Sequence, residues 1–512
     1  MVTPNTIVKL YSGIPCDPTY QNVLQFDSVA EQNAYFANKI PVATYTDFQF
    51  LDGNRELRVK RNMENCYNIN YVAYQNHRFG NKWFYAFVKN MEYASPESTK
   101  LFLEEDVWST WQFDLTFNTS FVERETVSND SIGLHTLPEN VEIGPYITTA
   151  HSYTKFDNMH IIMLLSDMSE YVRQELGEAI VNAINAPSVV NGTPVPVYWV
   201  DCGQVSDGDT AMAKIRTIVD AYSKVGQANA VVGVYCAPKL GNSWGSTNPP
   251  NAFAAYPDRT LSFIPKNNKL YTYPYCALNV LTAGGGVTYR YELCENGGKG
   301  GLLKLTEPFG ISPTLSVTME NYAGNTFDIQ NQLAVSGFPI LAWTNNAYQN
   351  WVARNKASIA TGVVGGLGTM ISGLVTANPT AIAGGALATA GVLARTEQAK
   401  LMPDEMNGSA KAQDANAVSG HLGVYANCVC VRPEYGKVID NYFSQYGYRV
   451  ATAKEIELHT RQNWNFVKTI SANITGNCPA PVIERIKTMF DSGITLWHTG
   501  NFDYGDLSNP II

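Results

Sequence analysis

Between Lys356 and Arg395 the chain carries no charged residue; the text from Ala357 to Ala394 reads ASIATGVVGGLGTMISGLVTANPTAIAGGALATAGVLA. In water such a stretch must be buried or must meet another apolar phase. Asn378-Pro379 interrupts it. Proline stops a helix and asparagine favours a turn there, so the text predicts two helical arms joined as a hairpin. At ~1.5 Å per residue the first arm, Ala357 to Ala377, extends ~30 Å. That equals the ~30 Å hydrocarbon core of a bilayer. The second arm, Thr380 to Ala394, is shorter and spans only with residues beyond Arg395 or in a thinned bilayer.

The arms are mostly Gly, Ala, Ser and Thr. Their apolar side chains are Ile359, Val363, Val364, Leu367, Met370, Ile371, Leu374, Val375, Ile382, Leu387, Val392 and Leu393, the expected membrane-active residues. Gly362 and Gly366, and Gly368 and Ser372, lie four apart, and small residues at that spacing let helices pack closely in lipid. Leu, Ile and Val contribute only ~0.3–0.6 kcal/mol each to insertion. One copy therefore inserts weakly, whereas several copies on one ring act together. A buried helical hairpin and a Gly/Ala-rich plug account for the same text. The polar stretch Asp404 to Gly420 then reads as a flexible arm returning to the body.

Charged residues make up 16% of the chain and aromatic residues 12%, with 29 Tyr. Few charges and many aromatics suit a β-rich protein that buries surface between subunits. The net charge of −9 disfavours tight nucleic-acid binding, which needs clustered Lys and Arg. A wall of like charge would still let DNA slide past. The nine cysteines form no CxxC pair, so reduced thiols and cytosolic synthesis are expected. No basic run followed by an apolar run opens the chain, so no signal peptide is expected.

The expected fold class is α+β, mainly β, in several domains with a small α/β insertion and the long hydrophobic hairpin. Residues 1–150 read as a β-rich domain, with strands over Ala43 to Leu51, Glu56 to Val59, Tyr67 to Tyr74 and Lys82 to Val88. Asp52-Gly53-Asn54 signals a hairpin between the first two. Ser28 with Glu31 is a capping-box pattern opening a helix. Residues 151–265 alternate helix and strand: helix from Ser166 to Ala186, strand at Val197 to Val200, helix from Thr210 to Ser223, strand at Ala230 to Cys236. Residues 237–260 read as a long loop. Residues 266–345 return to β character, with strands over Tyr271 to Tyr275 and Val287 to Leu293, and a turn at Gly297 to Gly301. Residues 346–423 hold the hydrophobic loop, and residues 424–512 are a mixed α/β part.

Motifs for catalysis are sparse. The seven histidines form no metal-ligand spacing, so neither metal nor cofactor is expected. Gly241-Asn-Ser243-Trp-Gly245 has the spelling of a nucleophile elbow, but Ser-Thr-Asn-Pro-Pro follows it and cannot open a helix at once. Glu104, Glu105 and Asp106 form an acidic run beside Trp108. A carboxylate pair serves a glycosidase, but adjacent residues fit a solvated face or a helix N-terminus better. Trp108 and Trp111, three apart, fit one face of a helical turn packed on a core. The alternative function that these residues leave open is a cell-wall hydrolase or wall-binding protein.

Three groups of motifs occur in order. The first is Gly80-Asn-Lys-Trp-Phe-Tyr-Ala-Phe-Val88, then Asp106-Val-Trp-Ser-Thr-Trp-Gln-Phe-Asp114 and Ser120-Phe-Val-Glu-Arg-Glu125. The second is Tyr442-Phe-Ser-Gln-Tyr-Gly-Tyr448 with Asn463-Trp-Asn-Phe-Val467, and the third is Phe490-Asp-Ser-Gly-Ile-Thr-Leu-Trp-His-Thr499. Together they resemble the distal tail-tube or tail-knob proteins of small short-tailed phages of the Picovirinae type. The likeness covers about residues 10–160 and 425–500; the middle, about 180–340, does not carry it. The resemblance implies a virion protein at the tail tip, made in the host cytoplasm and assembled as a homo-hexameric tube. It implies contacts with other tail proteins (lower collar and tail-tip proteins). It also implies hydrophobic loops that plug the lumen, then penetrate the host cytoplasmic membrane while phage DNA passes without sequence-specific binding. The loop position matches Ala357 to Ala394. No catalytic residue is implied. Trp83, Phe84, Tyr85 and Phe87 are expected to pack a strand against its neighbours.

Overall fold

The computed structural model describes every residue except 1–4, 49–55, 81, 157–158, 167–169, 178–187, 191–192, 228–229, 239–250, 283–284, 307–314, 320, 325–332, 336–339 and 344–422. The chain is mainly β and forms two compact units. The first comprises Met1–Gly144, Phe263–Leu270 and Arg432–Ile512; the second comprises Pro145–Ser262 and Tyr271–Val431.

In the first unit a six-stranded sheet runs in the order Ala43–Phe48, Thr6–Ser12, Ile69–Asn76, Trp83–Ser95, Ser98–Glu105, Glu56–Val59. Every ladder in it is antiparallel. Side chains of a strand alternate between faces, and Val8, Leu10, Leu57, Val59, Ile69, Val72 and Leu101 meet in a small core. The two edge strands approach through side chains: Lys60 pairs with Asp47 at 2.8 Å. The hairpin expected at Asp52-Gly53-Asn54 lies outside the described residues. Its two flanking strands are not ladder partners among the described residues; they hold opposite edges of the sheet. Ala43–Phe48 pairs with Thr6–Ser12 and Glu56–Val59 with Ser98–Glu105.

The second sheet of this unit runs Asn22–Leu24, Ile494–Trp497, Trp464–Ile470, Ser120–Glu125, Tyr448–Lys454. It therefore joins the two ends of the chain. Helix Val29–Asn38 starts as its sequence predicts: Ser28 Oγ accepts from Glu31 N at 3.2 Å, and Glu31 Oε2 accepts from Asp27 N at 2.9 Å. Helix Pro433–Tyr446 has proline in its first turn, where a missing N–H is harmless. It ends at Gly447, whose φ is +63° and whose place a Cβ would occupy 1.8 Å from Glu125 O. Only glycine fits there. Helix Ala480–Ser492 buries Val482, Ile486, Met489 and Phe490, one face at helical spacing.

In the second unit Met159–Leu165 is buried at every position and is the middle strand of Ser188–Val190, Thr193–Gln204, Met159–Leu165, Val231–Pro238, Ile340–Trp343. The alternation of strand and helix is present, and helix Gly208–Lys224 spans the predicted Thr210 to Ser223. Every ladder of this sheet is nonetheless antiparallel. A four-stranded sheet (Tyr146–Lys155, Gly423–Val431, Cys276–Thr282, Gly285–Tyr289) and another (Asn251–Tyr256, Gly301–Thr306, Leu315–Met319, Leu333–Val335) complete the unit. One continuous core holds residues from all three sheets.

Three local expectations change. Tyr271 to Tyr275 is not a strand, because Tyr275 N and Cys276 N both donate to Thr272 O (2.9 and 3.0 Å) and close a turn around Pro274, which has no N–H. The stretch 237–260 is not all loop: Asn251–Tyr256 is a strand paired with Gly301–Thr306. The helix predicted from Ser166 to Ala186 is described only over Glu170–Leu176.

Candidate functional site

The predicted membrane-active residues, the Gly362, Gly366, Gly368 and Ser372 packing positions and the Asn378-Pro379 turn all lie outside the described residues, as does Gly241–Gly245. The structure does describe where the loop is rooted. The chain leaves from Ile340–Trp343, at the edge of the five-stranded sheet, and returns at Gly423–Val431, inside the four-stranded one. The returning strand pairs on both sides, with Tyr146–Lys155 and with Cys276–Thr282. Its first residue is pinned by close approach: a Cβ on Gly423 would lie 2.3 Å from the Tyr153 ring and 2.4 Å from Thr154 O. Two residues on, Tyr425 stacks on Tyr153 with centroids 4.2 Å apart. Further along, Cys428 is fully buried, with its Sγ 3.9 Å from that of Cys276 and 3.3 Å from the Thr260 amide that donates to it. Among the described residues no cysteine is joined to another by a disulfide.

The resemblance motifs, distant in sequence, meet in the first unit. Tyr85, Phe87, Trp108, Val467, Phe490 and Leu496 share one core. Phe84 stacks on Tyr74 at 5.5 Å and meets Trp111 edge-on, while Lys9 lies over Trp83 at 4.9 Å. Each buried indole has its acceptor: Trp108 donates to Leu24 O at 2.9 Å, Trp464 to Ser444 O at 3.1 Å, Trp497 to Asn22 Oδ1 at 2.9 Å. That is the packing role expected of the aromatic blocks.

The acidic run is engaged in structure. Glu104 bridges Arg485 at 2.5 Å and Lys89 at 3.0 Å, and the Arg485 hydrogen bond holds its carboxyl below the ordinary range. Glu105 accepts from Trp111 Nε1 at 2.9 Å. Asp106 caps helix Val107–Trp111, accepting from Trp108 N and Ser109 N at 3.1 Å and from Tyr71 at 2.6 Å; burial pushes its pKa up. This is the helix N-terminus reading of that run. His459 and His498 stack with centroids 3.7 Å apart, and His459 Nδ1 lies 2.9 Å from Asp27. Burial and the second imidazole press His498 down to about 3. Among the described residues no cluster of His, Cys, Asp and Glu could hold a metal ion, and no helix is long and apolar enough to cross a membrane.

Sequence reading missed one surface. Arg449, Arg124 and Lys468 stand directly opposite one another on three adjacent strands. They line an open cleft of about 380 Å³ with Tyr442, Tyr446 and Phe466, and with the carboxylates of Glu123 and Glu139. No local motif marks it, because its residues come from three distant stretches.

A family model described as the C-terminal domain of the tail knob protein gp9 of Bacillus phage phi29 matches residues 242–510, more than half of the chain. The chain belongs to this tail knob family. A second family model, the N-terminus of caudoviral major tail proteins, matches residues 4–116 of this tail knob protein. The tail knob protein gp9 of Bacillus phage phi29 is 24% identical over 596 residues, covering 99% of this chain and 98% of its own length. The gp9 tail knob of Bacillus phage B103 is 23% identical with the same coverage. Among solved structures, the tail knob protein gp12 of bacteriophage C1 superposes with a TM-score of 0.59 at 15% identity, covering 99% of this chain and 100% of that one. The relatives therefore align through residues 180–340 as well, where the motifs alone carried no likeness. The protein is a structural component of a phage tail.

Proposed function

We propose that this tail knob subunit assembles into a six-fold ring at the tail tip, and that its uncharged segment acts on the host cytoplasmic membrane. The observation that carries this reading is the absence of any charge from Ala357 to Ala394. Before ejection the segments of the ring fill its lumen and shelter one another from water. On release they insert together, each weakly, and the ring as a whole strongly. Residues 1–150, 266–345 and 424–512 build the tube, 151–265 are an insertion, and 346–423 are the loop. The subunit is made in the host cytoplasm and binds neighbouring collar and tail-tip proteins. The chain's negative charge keeps passing DNA from sticking to the wall.

The test uses the full chain and a variant lacking residues 357–394. Negative-stain microscopy should show rings for both. Dye-loaded liposomes should leak with the full chain and stay sealed with the variant. Leakage by the deleted chain would remove the loop from the mechanism.

A further inference from the structure

Like charges placed directly opposite on neighbouring strands are unfavourable, yet the second sheet of the first unit aligns Arg449, Arg124 and Lys468 in one row. Two of them are partly neutralised: Arg124 and Lys269 share the buried carboxylate of Glu139, and Lys468 pairs with Glu123 at 2.7 Å. Arg449 is exposed and makes one long side-chain bond, 3.5 Å, to Pro138 O. Beside the row, helix Pro433–Tyr446 turns a second stripe outward at positions 435, 438, 442 and 446. Tyr435, Val438 and Tyr446 are 40%, 68% and 38% exposed. Tyr442 lies under the Arg124 guanidinium at 5.0 Å, and Tyr446 meets Phe466 edge-on at 5.3 Å. Tyrosine and arginine, which line this cleft, are residue types that carry binding energy at protein interfaces.

The same unit presents the complementary chemistry elsewhere. The hairpin of Trp83–Ser95 and Ser98–Glu105 turns at Pro96-Glu97, and its tip exposes Glu92, Glu97 and Tyr93, the last by 63%. Glu92 faces Lys100 across the ladder and Arg58 donates to Ser98 Oγ at 3.0 Å, so the tip is of mixed charge, but Glu97 makes no ion pair among the described residues. The tip cannot reach the cleft of its own chain. Val122 and Val467 point into the core against Ile486 and Phe490, so Phe466 and Lys468, one residue along, face the other side of the sheet. Glu104, near the base of the hairpin, is tied to Arg485 of the core-side helix, and strand Ser98–Glu105 carries the tip ~23 Å beyond that point.

We infer that the Arg449–Arg124–Lys468 cleft receives the tyrosine-bearing hairpin tip of a second copy of this chain, with Glu97 of the tip set against Arg449. Tip and cleft on different sides of one unit make a head-to-tail contact, the kind that closes a ring when its rotation permits. In a chain of net charge −9, identical copies repel at long range, and the local pairing of Arg449 with Glu97 offsets that repulsion at the contact. The inference rests on the ring proposed above.

The test is charge reversal in the full chain, read by light scattering after size exclusion. Glu97→Lys and Arg449→Glu should each raise the concentration for half-assembly roughly tenfold, with circular dichroism unchanged. The double variant should return to within about threefold of the parent. Rings that form unchanged in both single variants would overturn this contact and leave the ring standing. Loss of rings in Arg449→Glu alone, with Glu97→Lys assembling like the parent, would mean that a part of the second copy other than the tip occupies the cleft, and would overturn this contact. A parent chain that never assembles would end the ring and the contact together.

Discussion

The two units differ in how the chain enters them. The first is stitched from three separated stretches, and its second sheet places Asn22–Leu24 beside Ile494–Trp497 in parallel. The second is nearly one run of chain, interrupted only by 263–270 for the first unit, and it emits the long stretch 344–422 between two of its strands. The first unit is thus closed by long-range ladders that depend on neither the length nor the conformation of the loop. The lesson is a division of labour: one unit fixes the ends of the chain, and the other holds the strands on either side of the uncharged segment.

The strongest test of that division is to damage the closure. Trp108→Ala removes a fully buried indole and its bond to Leu24 O, and should destabilise the first unit by about 3–5 kcal/mol in a denaturant titration. Gly447→Ala should be at least as damaging, since the new methyl collides with the backbone of Glu125. If either variant melted like the parent, the first unit would not depend on the closure as described.

At the loop root the expected effect is smaller. Gly423→Ala forces the Tyr153 ring aside and should cost about 1–3 kcal/mol. Hydrogen exchange should locate the loss in Tyr146–Lys155 and Gly423–Val431, with the first unit's sheets unchanged. Loss spread evenly over both units would blur the distinction between them.

Acid sharpens the contrast from the other side. His498 has a folded pKa of about 3, below its ordinary value near 6.5, so the folded state favours the neutral ring. The unfolded chain binds the proton first. This contribution is therefore complete above about pH 6.5 and is lost as pH falls towards 3. The slope should approach about 1.4 kcal/mol per pH unit where the unfolded ring is protonated and the folded ring is not, and partial exposure of the ring narrows that pH window. His498→Gln should flatten it in pH-dependent urea melts. An unchanged slope would mean that the acid sensitivity does not come from His498. The smallest effect belongs to Lys60→Ala, whose exposed pair with Asp47 joins the edges of the six-stranded sheet; the melting temperature should not move measurably.

Much of the first unit was legible because its signals are local or unusually dense. Ser28 with Glu31 named a helix start, and the aromatic blocks named a core that Trp108, Trp464 and Trp497 fill. Asp106 was legible as a cap rather than an acid catalyst because carboxylates adjacent in sequence cannot flank a substrate. Legibility failed where pairing is long-range. The edge positions of Ala43–Phe48 and Glu56–Val59 follow only from their partners Thr6–Ser12 and Ser98–Glu105. Asn251–Tyr256 is short and flanked by Pro and Asn, so only its partner Gly301–Thr306 reveals it as a strand. The cation row was invisible for the same reason: Arg124 and Arg449 are neighbours only across a ladder. The apolar segment needed no structure to be noticed, since the absence of charge is itself the signal.

The central claim is that Ala357 to Ala394 is the part of this subunit that enters lipid. Photolabelling from within the bilayer tests it most directly: full chain on liposomes carrying a lipid-borne diazirine, irradiated, digested and mapped by mass spectrometry. Adducts concentrated between Ala357 and Ala394, and absent from strands such as Trp464–Ile470, are the predicted result. Adducts elsewhere with that stretch unlabelled, while the vesicles leak, would contradict it.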